Sequence, residues 1–239
     1  MTGRSTYLEL ADRLADELRD AAPGTRVASE HELVADHGVS RLTARAALQE
    51  LEHRYLVQRI RGSGTYVRRR IDYVISRGVP PSFTATVAAT GATPGTKLLR
   101  VRRRPPDPDH RYEVEVADGG DLVEVRRLNL IDGVVTGVLT TVLPGRRLPG
   151  IEEHLADDVS LHALLSEEYD LSLRRSRHQV LLEVPDLTVA QLLGDEAPRP
   201  CWYSESLNRI TGTRRLGEYA ATWSSPRVVR MVFHIDEEE

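Results

Sequence analysis

Between Ser29 and Val67 the sequence sets two short helix-prone segments around a single glycine. Two short β-prone runs that share a glycine-rich tip follow at once, and few folds accept that order. Upstream, Tyr7, Leu10, Leu14, Leu18 and Ala21 recur at helical spacing and draw one apolar stripe, which Pro23-Gly24 stops. In Ser29-Glu30-His31-Glu32 the serine caps a second helix while Glu32 reaches back to the cap's N–H. Gly38 supplies the left-handed residue that ends it, and Ser40 caps a third helix with a predicted apolar face of Leu42, Ala46, Leu48 and Leu51. Leu56–Ile60 and Thr65–Val67 then read as strands flanking Arg61-Gly62-Ser63-Gly64.

Two short helices joined by a tight glycine-bearing turn form a helix-turn-helix, whose second helix enters the DNA major groove N-terminus first. That geometry assigns the Ser40 and Thr43 hydroxyls to phosphate oxygens, and Arg41 and Arg45, one helical turn apart, to guanine or phosphate. The hairpin is then a wing, with Arg61 and the small residues Gly62 and Gly64 set for the minor groove or the phosphates. A formal net charge of −4 argues against a DNA binder until it is counted by region. Residues 1–70 carry +2 and the remainder −6. Residues 40–70 hold eight arginines (Arg41, Arg45, Arg54, Arg59, Arg61, Arg68, Arg69, Arg70) against Glu50 and Glu52. One such arginine alone is ordinarily a solvated surface charge; together, on this motif, they read as phosphate contacts.

The run PGTRVASEHELVADHGVSRLTARAALQELEHRYLVQRIRGSGTYV resembles the DNA-binding domain of the GntR family, whose pattern is approximately PGxxLPSExELaxxxgVSRxTVRxALxxLxxxGlixxxxGxGTfV. The likeness covers nearly all of residues 7–67 and implies a winged helix-turn-helix over residues 1–70. The expected DNA-contacting set is Arg26, Ser29, Glu30, His31, Ser40, Arg41, Thr43, Arg45, Arg61, Gly62, Gly64 and Thr65. Departures from the pattern are Val27-Ala28 for Leu-Pro, His31 for a frequent Arg, Leu42 and Ala44 in the recognition helix, and Tyr55 where a glycine normally ends that helix.

Beyond Arg68-Arg69-Arg70, residues 71–80 through Pro80-Pro81 read as a linker or first strand, and residues 81–239 as a second domain. A short helix is predicted from Phe83 to Ala89, ended by Gly91. Leu122–Leu128 and Val134–Leu143 read as strands joined at the Asp132-Gly133 turn. Leu161–Tyr169 is predicted helical, Leu171–Val184 extended, and Thr188–Leu193 a short helix capped by Thr188 with Gln191. Extended stretches follow near Cys201–Ile210, Leu216–Trp223 and Val228–Ile235. Hairpins mixed with short helices indicate an antiparallel α+β domain.

An anionic ligand needs donors converging on a concave site, and Arg127, Ser160, His162, Arg174 and Arg175 offer them, with Thr84 beside Phe83. Ser160 also stands at a helix N-terminus, although a cap alone explains it. Strand alternation lets only one of Arg174 and Arg175 face inward. The pieces SFTATVAATGATP, RLNLIDG with VLP, VSLHALL and GEY resemble the UTRA effector-sensing domain of the family's HutC branch, a domain similar in fold to chorismate lyase. Within it the likeness is greatest to regulators of phosphonate utilisation. The resemblance implies a homodimeric regulator, a repressor that a small anionic effector of phosphonate or phosphate type releases from a palindromic operator. It favours Arg127, Ser160 and Glu218 as effector contacts; with Phe83, Thr84, His162, Arg174, Arg175 and Tyr203 these form the expected effector set. Asn129, Leu139 and Val229 stand where sugar-phosphate-sensing relatives keep Arg, Glu and Tyr, which weighs against an amino-sugar phosphate.

Other classes fare worse. The eight histidines include no HExxH and no glycine-rich phosphate loop is present, so an enzyme on the chorismate-lyase-like fold has no machinery to recommend it. An effector-independent DNA-binding or maintenance protein stays as the alternative. Cys201, the single cysteine, excludes an intrachain disulfide, and no metal or other cofactor is expected. No apolar run reaches a membrane span of about 18 residues and no signal-peptide layout opens the chain, so the expectation is a cytoplasmic protein without a membrane partner.

Overall fold

Helix α1 (Ser5–Glu17) buries Leu10 and Leu14 from the middle of the predicted stripe, together with Ala11 beside them. The computed structural model describes residues 5–68, 71–75 and 82–233, and the chain divides into two compact units, Met1–Arg70 and Ile71–Glu239. Arg69, Arg70, Pro80, Pro81, His234 and Ile235, on which parts of the sequence reading fell, lie outside the described residues.

In the first unit, β1 (Arg26–Val27) precedes α2 (Glu30–His37), α3 (Arg41–His53), β2 (Val57–Ile60) and β3 (Gly64–Val67). Both predicted caps form. The Ser29 Oγ accepts from the Glu32 N–H at 3.3 Å while Glu32 Oε2 accepts from the Ser29 N–H at 2.6 Å. Gly38 adopts φ 62° and closes α2 with its N–H on the Val34 carbonyl. The buried face of α3 corrects the sequence reading: Ala44, Ala47, Leu48 and Leu51 are buried, and Leu42 is 76% exposed. The Ser40 cap fixes where α3 starts, so Leu42 lies about 200° round the helix from Ala44 and cannot share its face. The small Ala44 fits against the neighbouring helices where Leu42 had drawn the eye. The missed strand β1 joins the wing, giving a three-stranded sheet ordered β1-β3-β2.

The second unit opens with β4 (Ile71–Ile75) and α4 (Phe83–Ala88), capped by Ser82, whose Oγ accepts from the Ala85 N–H at 3.2 Å. β5 (Pro94–Arg104) and α5 (Arg111–Ala117) were not foreseen. The arginine-rich second half of β5 hides its strand character, because Arg100, Arg102 and Arg104 lie along the buried Glu124 at 2.7, 2.9 and 2.7 Å instead of facing water freely. β6 (Leu122–Ile131) and β7 (Val134–Pro144) follow, joined by Asp132 and Gly133 at φ 50° and 78°, the signs a tight hairpin demands. Two 3-10 turns lead to α6 (Leu161–Tyr169), then β8 (Leu173–Glu183), α7 (Leu187–Leu192), β9 (Cys201–Ile210), β10 (Leu216–Ser224) and β11 (Val229–Phe233). The cap of α7 is Asp186, accepting from the Val189 N–H at 2.8 Å, and not Thr188 as predicted.

Six of these strands form one antiparallel sheet ordered β5-β6-β7-β10-β9-β8, while β11 pairs β4 in parallel. Helix α5 packs on β6, β7 and β10, with Tyr112 stacked on Tyr219 at 5.9 Å between ring centres. Residues alternating with Tyr219 therefore face the other way, and that second face holds the cavity described below. No helix among the described residues is long and apolar enough to cross a membrane.

Candidate functional site

Two sites emerge, one in each unit. In the first, Glu30 at the start of α2 gathers the arginines. Arg45 donates to it through two parallel bonds, Nε to Oε1 and Nη2 to Oε2, both at 3.0 Å. Arg41 from the first turn of α3 and Arg59 from β2 stand at 3.8 and 3.9 Å from the same carboxylate. Hydrogen bonding from Arg45 is the main reason the Glu30 carboxyl sits below its usual range, so it stays ionised and orients the cluster. Three guanidiniums on one carboxylate leave a surplus of positive charge, and Arg41 and Arg45 keep side chains 80% and 51% exposed. Such a surface is chemically suited to phosphates.

The remaining expected DNA contacts divide. Arg26 and His31 are exposed, Arg26 with its Nη1 on Glu32 at 3.2 Å. Ser40 spends its Oγ on the Thr43 N–H at 3.1 Å and lies 2.8 Å from the Thr43 hydroxyl, so it shapes the helix start as well as fronting it. At the wing tip Arg61 and Gly62 are exposed, with Gly62 at φ 77° and Gly64 at φ 140°, conformations that only glycine holds without strain. Thr65 corrects the expected set: only 8% exposed, it is paired between β1 and β2 and packs the wing.

The second site is a cavity of about 70 Å³ on the inner face of the six-stranded sheet. That is about five times the space one water needs, which suits a compact solute of several heavy atoms. Its floor comes from alternate residues of the strands, including Arg127 and Asn129 on β6, Arg175 and His178 on β8, Asn208 on β9 and Glu218 on β10. Its cover comes from the first turns of α4 (Phe83, Thr84) and α6 (Ser160, His162), with Tyr73 of β4 and Met231 of β11. Three of the sheet's register shifts fall beside this floor, next to Asn129, Arg175 and Glu218. Bulges re-aim side chains, and here they turn polar ones inward. Gly217 sits at one of them, where a Cβ would meet Leu173 Cδ2 at 2.6 Å.

Polar atoms in the cavity are left wanting. Seven buried side-chain atoms lining it have no partner: Thr96 Oγ1, Arg127 Nε, Asn129 Oδ1, Arg175 Nε and Nη1, His178 Nε2 and Asn208 Oδ1. Native interiors satisfy such groups, so their concentration in one concave place marks a ligand site. Arg127, 5% exposed, donates through Nη1 to the Val159 carbonyl at 3.2 Å. Burial pulls its guanidinium below the usual range, with the charge of Glu218 opposing. For Glu218, burial works against ionisation, but His162, Asn208 and Arg127 outweigh it and hold the carboxyl low. The His162 Nε2 lies 3.0 Å from Glu218 Oε2, which also accepts from Asn208 Nδ2 at 2.5 Å. Burial, reinforced by Arg175, pushes the His178 ring down to about 4, so it is neutral at neutral pH. Ser160 precedes α6 without giving its side chain to a cap bond.

Of the expected effector residues, Phe83, Thr84, Arg127, Ser160, His162, Arg175 and Glu218 line this cavity together. Arg174 and Tyr203 do not, which corrects the set. Arg174 is exposed on the opposite side of β8 from Arg175, and Tyr203 packs on Trp223, 4.6 Å between ring centres, on the opposite face of β9 from Ser204. Asn129, Leu139 and Val229 all line the cavity as well. Sequence reasoning missed Thr96, His178, Ser204, Ser206 and Asn208, whose only signal was polar alternation along strands. No group of acidic, histidine or cysteine side chains among the described residues could hold a metal ion.

Comparison with known proteins bears on both units. Residues 6–67 match the family described as "Bacterial regulatory proteins, gntR family", and residues 89–225 match the UTRA domain. The chain is 30% identical over 201 residues to the HTH-type transcriptional repressor PhnF of Mycolicibacterium smegmatis (strain ATCC 700084 / mc(2)155), covering 84% of this chain and 78% of that one. It is 26% identical over 219 residues to the probable transcriptional regulator PhnF of Escherichia coli (strain K12), covering 90% and 89%. The crystal structure of PhnF from Mycobacterium smegmatis superposes with a TM-score of 0.65 at 25% identity, over 98% of this chain and 100% of that one.

Proposed function

The chain belongs to the GntR family of bacterial regulatory proteins and is an effector-responsive DNA-binding regulator rather than an enzyme; from that premise we propose that it is a homodimeric repressor which a small phosphate- or phosphonate-like anion releases from a palindromic operator. One observation carries the choice of effector: Arg127 and Arg175 present buried guanidinium nitrogens without partners to one small cavity. A buried cation left unpaired is costly, and an oxyanion taking several N–H groups relieves it. The unoccupied-cap hydroxyl of Ser160 and the N-terminus of α6 add donors on the covering side. The reading places Arg41, Arg45 and Arg61 on the operator, with Glu30 ordering the first two. Effector binding releases DNA when it favours the conformation of the dimer that no longer fits two half-sites, for which a few kcal/mol of differential affinity is enough.

The test is a thermal-shift screen of the full chain with inorganic phosphate, methylphosphonate, sulfate, a hexose phosphate and a neutral amino acid, followed by gel-shift titration on the promoter of its own operon. The expected result is stabilisation by phosphate or methylphosphonate and release of DNA by the same compound. Operator affinity indifferent to every stabilising compound overturns the reading.

A further inference from the structure

The sheet has two edges, β5 and β8, and they are finished differently. β5 is guarded. The N–H groups of Thr96 and Leu98 donate to Asp158 and Asp157 carboxylates at 2.8 and 2.7 Å, and Arg100, Arg102 and Arg104 occupy its second half. β8 has no such cover among the described residues in its run Val180-Leu181-Leu182, where Leu181 and Leu182 are 40% and 60% exposed. Val184 and Leu187 just beyond it are 60% and 51% exposed. An exposed edge carrying branched apolar side chains is one that soluble proteins avoid unless another strand takes it.

The order of charge along β8 identifies that strand. Arg174 and Arg177 lie toward its start, Glu183 ends it, Asp186 follows, and all four are exposed. A strand basic at one end and acidic at the other complements an antiparallel copy of itself. We propose that β8 is the dimerisation strand, pairing antiparallel with β8 of a second copy of this chain about a two-fold axis at Val180. In that register Arg177 stands opposite Glu183 of the second copy, and Arg174 is brought toward its Asp186. Moving the axis by one residue loses the first of these pairs. The bulge between Arg175 and Arg177 lies outside the paired stretch, so side-chain parity is kept from Arg177 to Glu183. Leu182 of the second copy falls opposite His178, whose ring lies 6.4 Å from that of Phe233, itself 51% exposed, and so covers it. The inference rests on the homodimer reading given above and adds its surface and register.

Directly opposed residues of antiparallel strands have Cα atoms about 4.5–5.5 Å apart, within disulfide range. In the full chain under mild oxidation, Val180→Cys is expected to give a reducible covalent dimer, and Glu183→Cys, which faces Arg177, is not. In sedimentation equilibrium, Arg177→Glu and Glu183→Arg should each weaken the dimer by about tenfold or more, and the double exchange should restore it to within about threefold. The restoration matters because Arg177 also donates to the Tyr112 hydroxyl at 2.9 Å, so its single substitution disturbs one protomer as well. A wild-type dimer that resists both charge variants and leaves Val180→Cys uncrosslinked overturns the interface and leaves the dimer standing. A chain that is monomeric at all concentrations overturns both.

Discussion

Arg45 and Arg127 are the same residue in opposite circumstances. Arg45 is half exposed and satisfied by two bonds to Glu30; Arg127 is 5% exposed and keeps a buried Nε without a partner. The first unit displays its charges in pairs on a surface, where a large polyanion comes to them and its counterions leave. The second unit keeps buried guanidinium nitrogens of Arg127 and Arg175 without hydrogen-bond partners, which on the proposed reading a small anion that enters completes. On that reading, the contrast teaches that the two kinds of anion recognition are separated by burial and not by residue type.

The sharpest way to break the comparison is to remove each arginine and ask which anion is lost. Arg127→Ala is expected to have the largest effect, because it truncates a buried cation that shares its cavity with the ionised Glu218. Loss of a buried charged partner of the bound anion costs about 2–5 kcal/mol, roughly thirtyfold or more in effector Kd. Isothermal titration with the stabilising anion measures it, and operator affinity in a gel shift should be unchanged. Arg45→Ala is expected to do the reverse at smaller amplitude: about 1–3 kcal/mol off operator affinity, a shallower salt dependence, and normal effector binding. An Arg45 variant that loses effector binding, or an Arg127 variant that loses DNA without it, erases the separation.

The comparison extends to acid. The Glu32 carboxyl is held down to about 2 by the Ser29 backbone N–H and hydroxyl and by Arg26, so its contribution to the first unit is complete above the ordinary value of 4.5 and is lost only as pH falls from there toward 2. His178 in the second unit acts with the same sign but at higher pH. Its folded value of about 4 lies below the ordinary 6.5, so between these the unfolded chain binds a proton that the folded one refuses. Stability of the second unit therefore falls as pH drops through that window and is unaffected above it. Both tryptophans, Trp202 and Trp223, belong to this unit, so a fluorescence-detected melt reads it selectively. Between pH 6.5 and 4 the fluorescence transition is expected to move down, and His178→Gln should flatten that dependence.

Legibility in the sequence follows the same divide. The first unit was readable because its boundaries are set by local chemistry: the Ser29–Glu32 box, Gly38 and the Ser40 cap each form as their residue types dictate. The face of α3 failed because an exposed Leu42 looks like core and a buried Ala44 does not, although the cap alone fixes the phase. In the second unit Arg127 and Ser160 were reached from donor chemistry and family likeness together and Glu218 from likeness alone, while Ser204, Ser206 and Asn208 escaped. Alternating polar residues on a strand normally mark the solvent face. Here they mark the inside, because the interior at that point is a polar cavity and the bulges beside Asn129, Arg175 and Glu218 shift the alternation.

The smallest expected effect lies where the first unit departs from its own family pattern. Tyr55 follows α3 at φ 57°, a left-handed conformation that costs an L-residue about 1–2 kcal/mol and a glycine almost nothing. The ring recovers part of this, since the Arg68 guanidinium stands 6.0 Å from its centre, a partly buried arrangement that contributes about 1 kcal/mol. The two nearly cancel, so Tyr55→Gly is expected to stabilise the first unit by less than about 1 kcal/mol. A helical circular-dichroism melt should show the gain with the tryptophan transition unmoved, and operator affinity should stay within about twofold because Tyr55 lies at the opposite end of α3 from Arg41. A clear loss of stability instead means that the side chain of Tyr55 holds Arg68 more firmly than the backbone strain opposes, and that the glycine of the family pattern has been replaced to fasten this part of the unit.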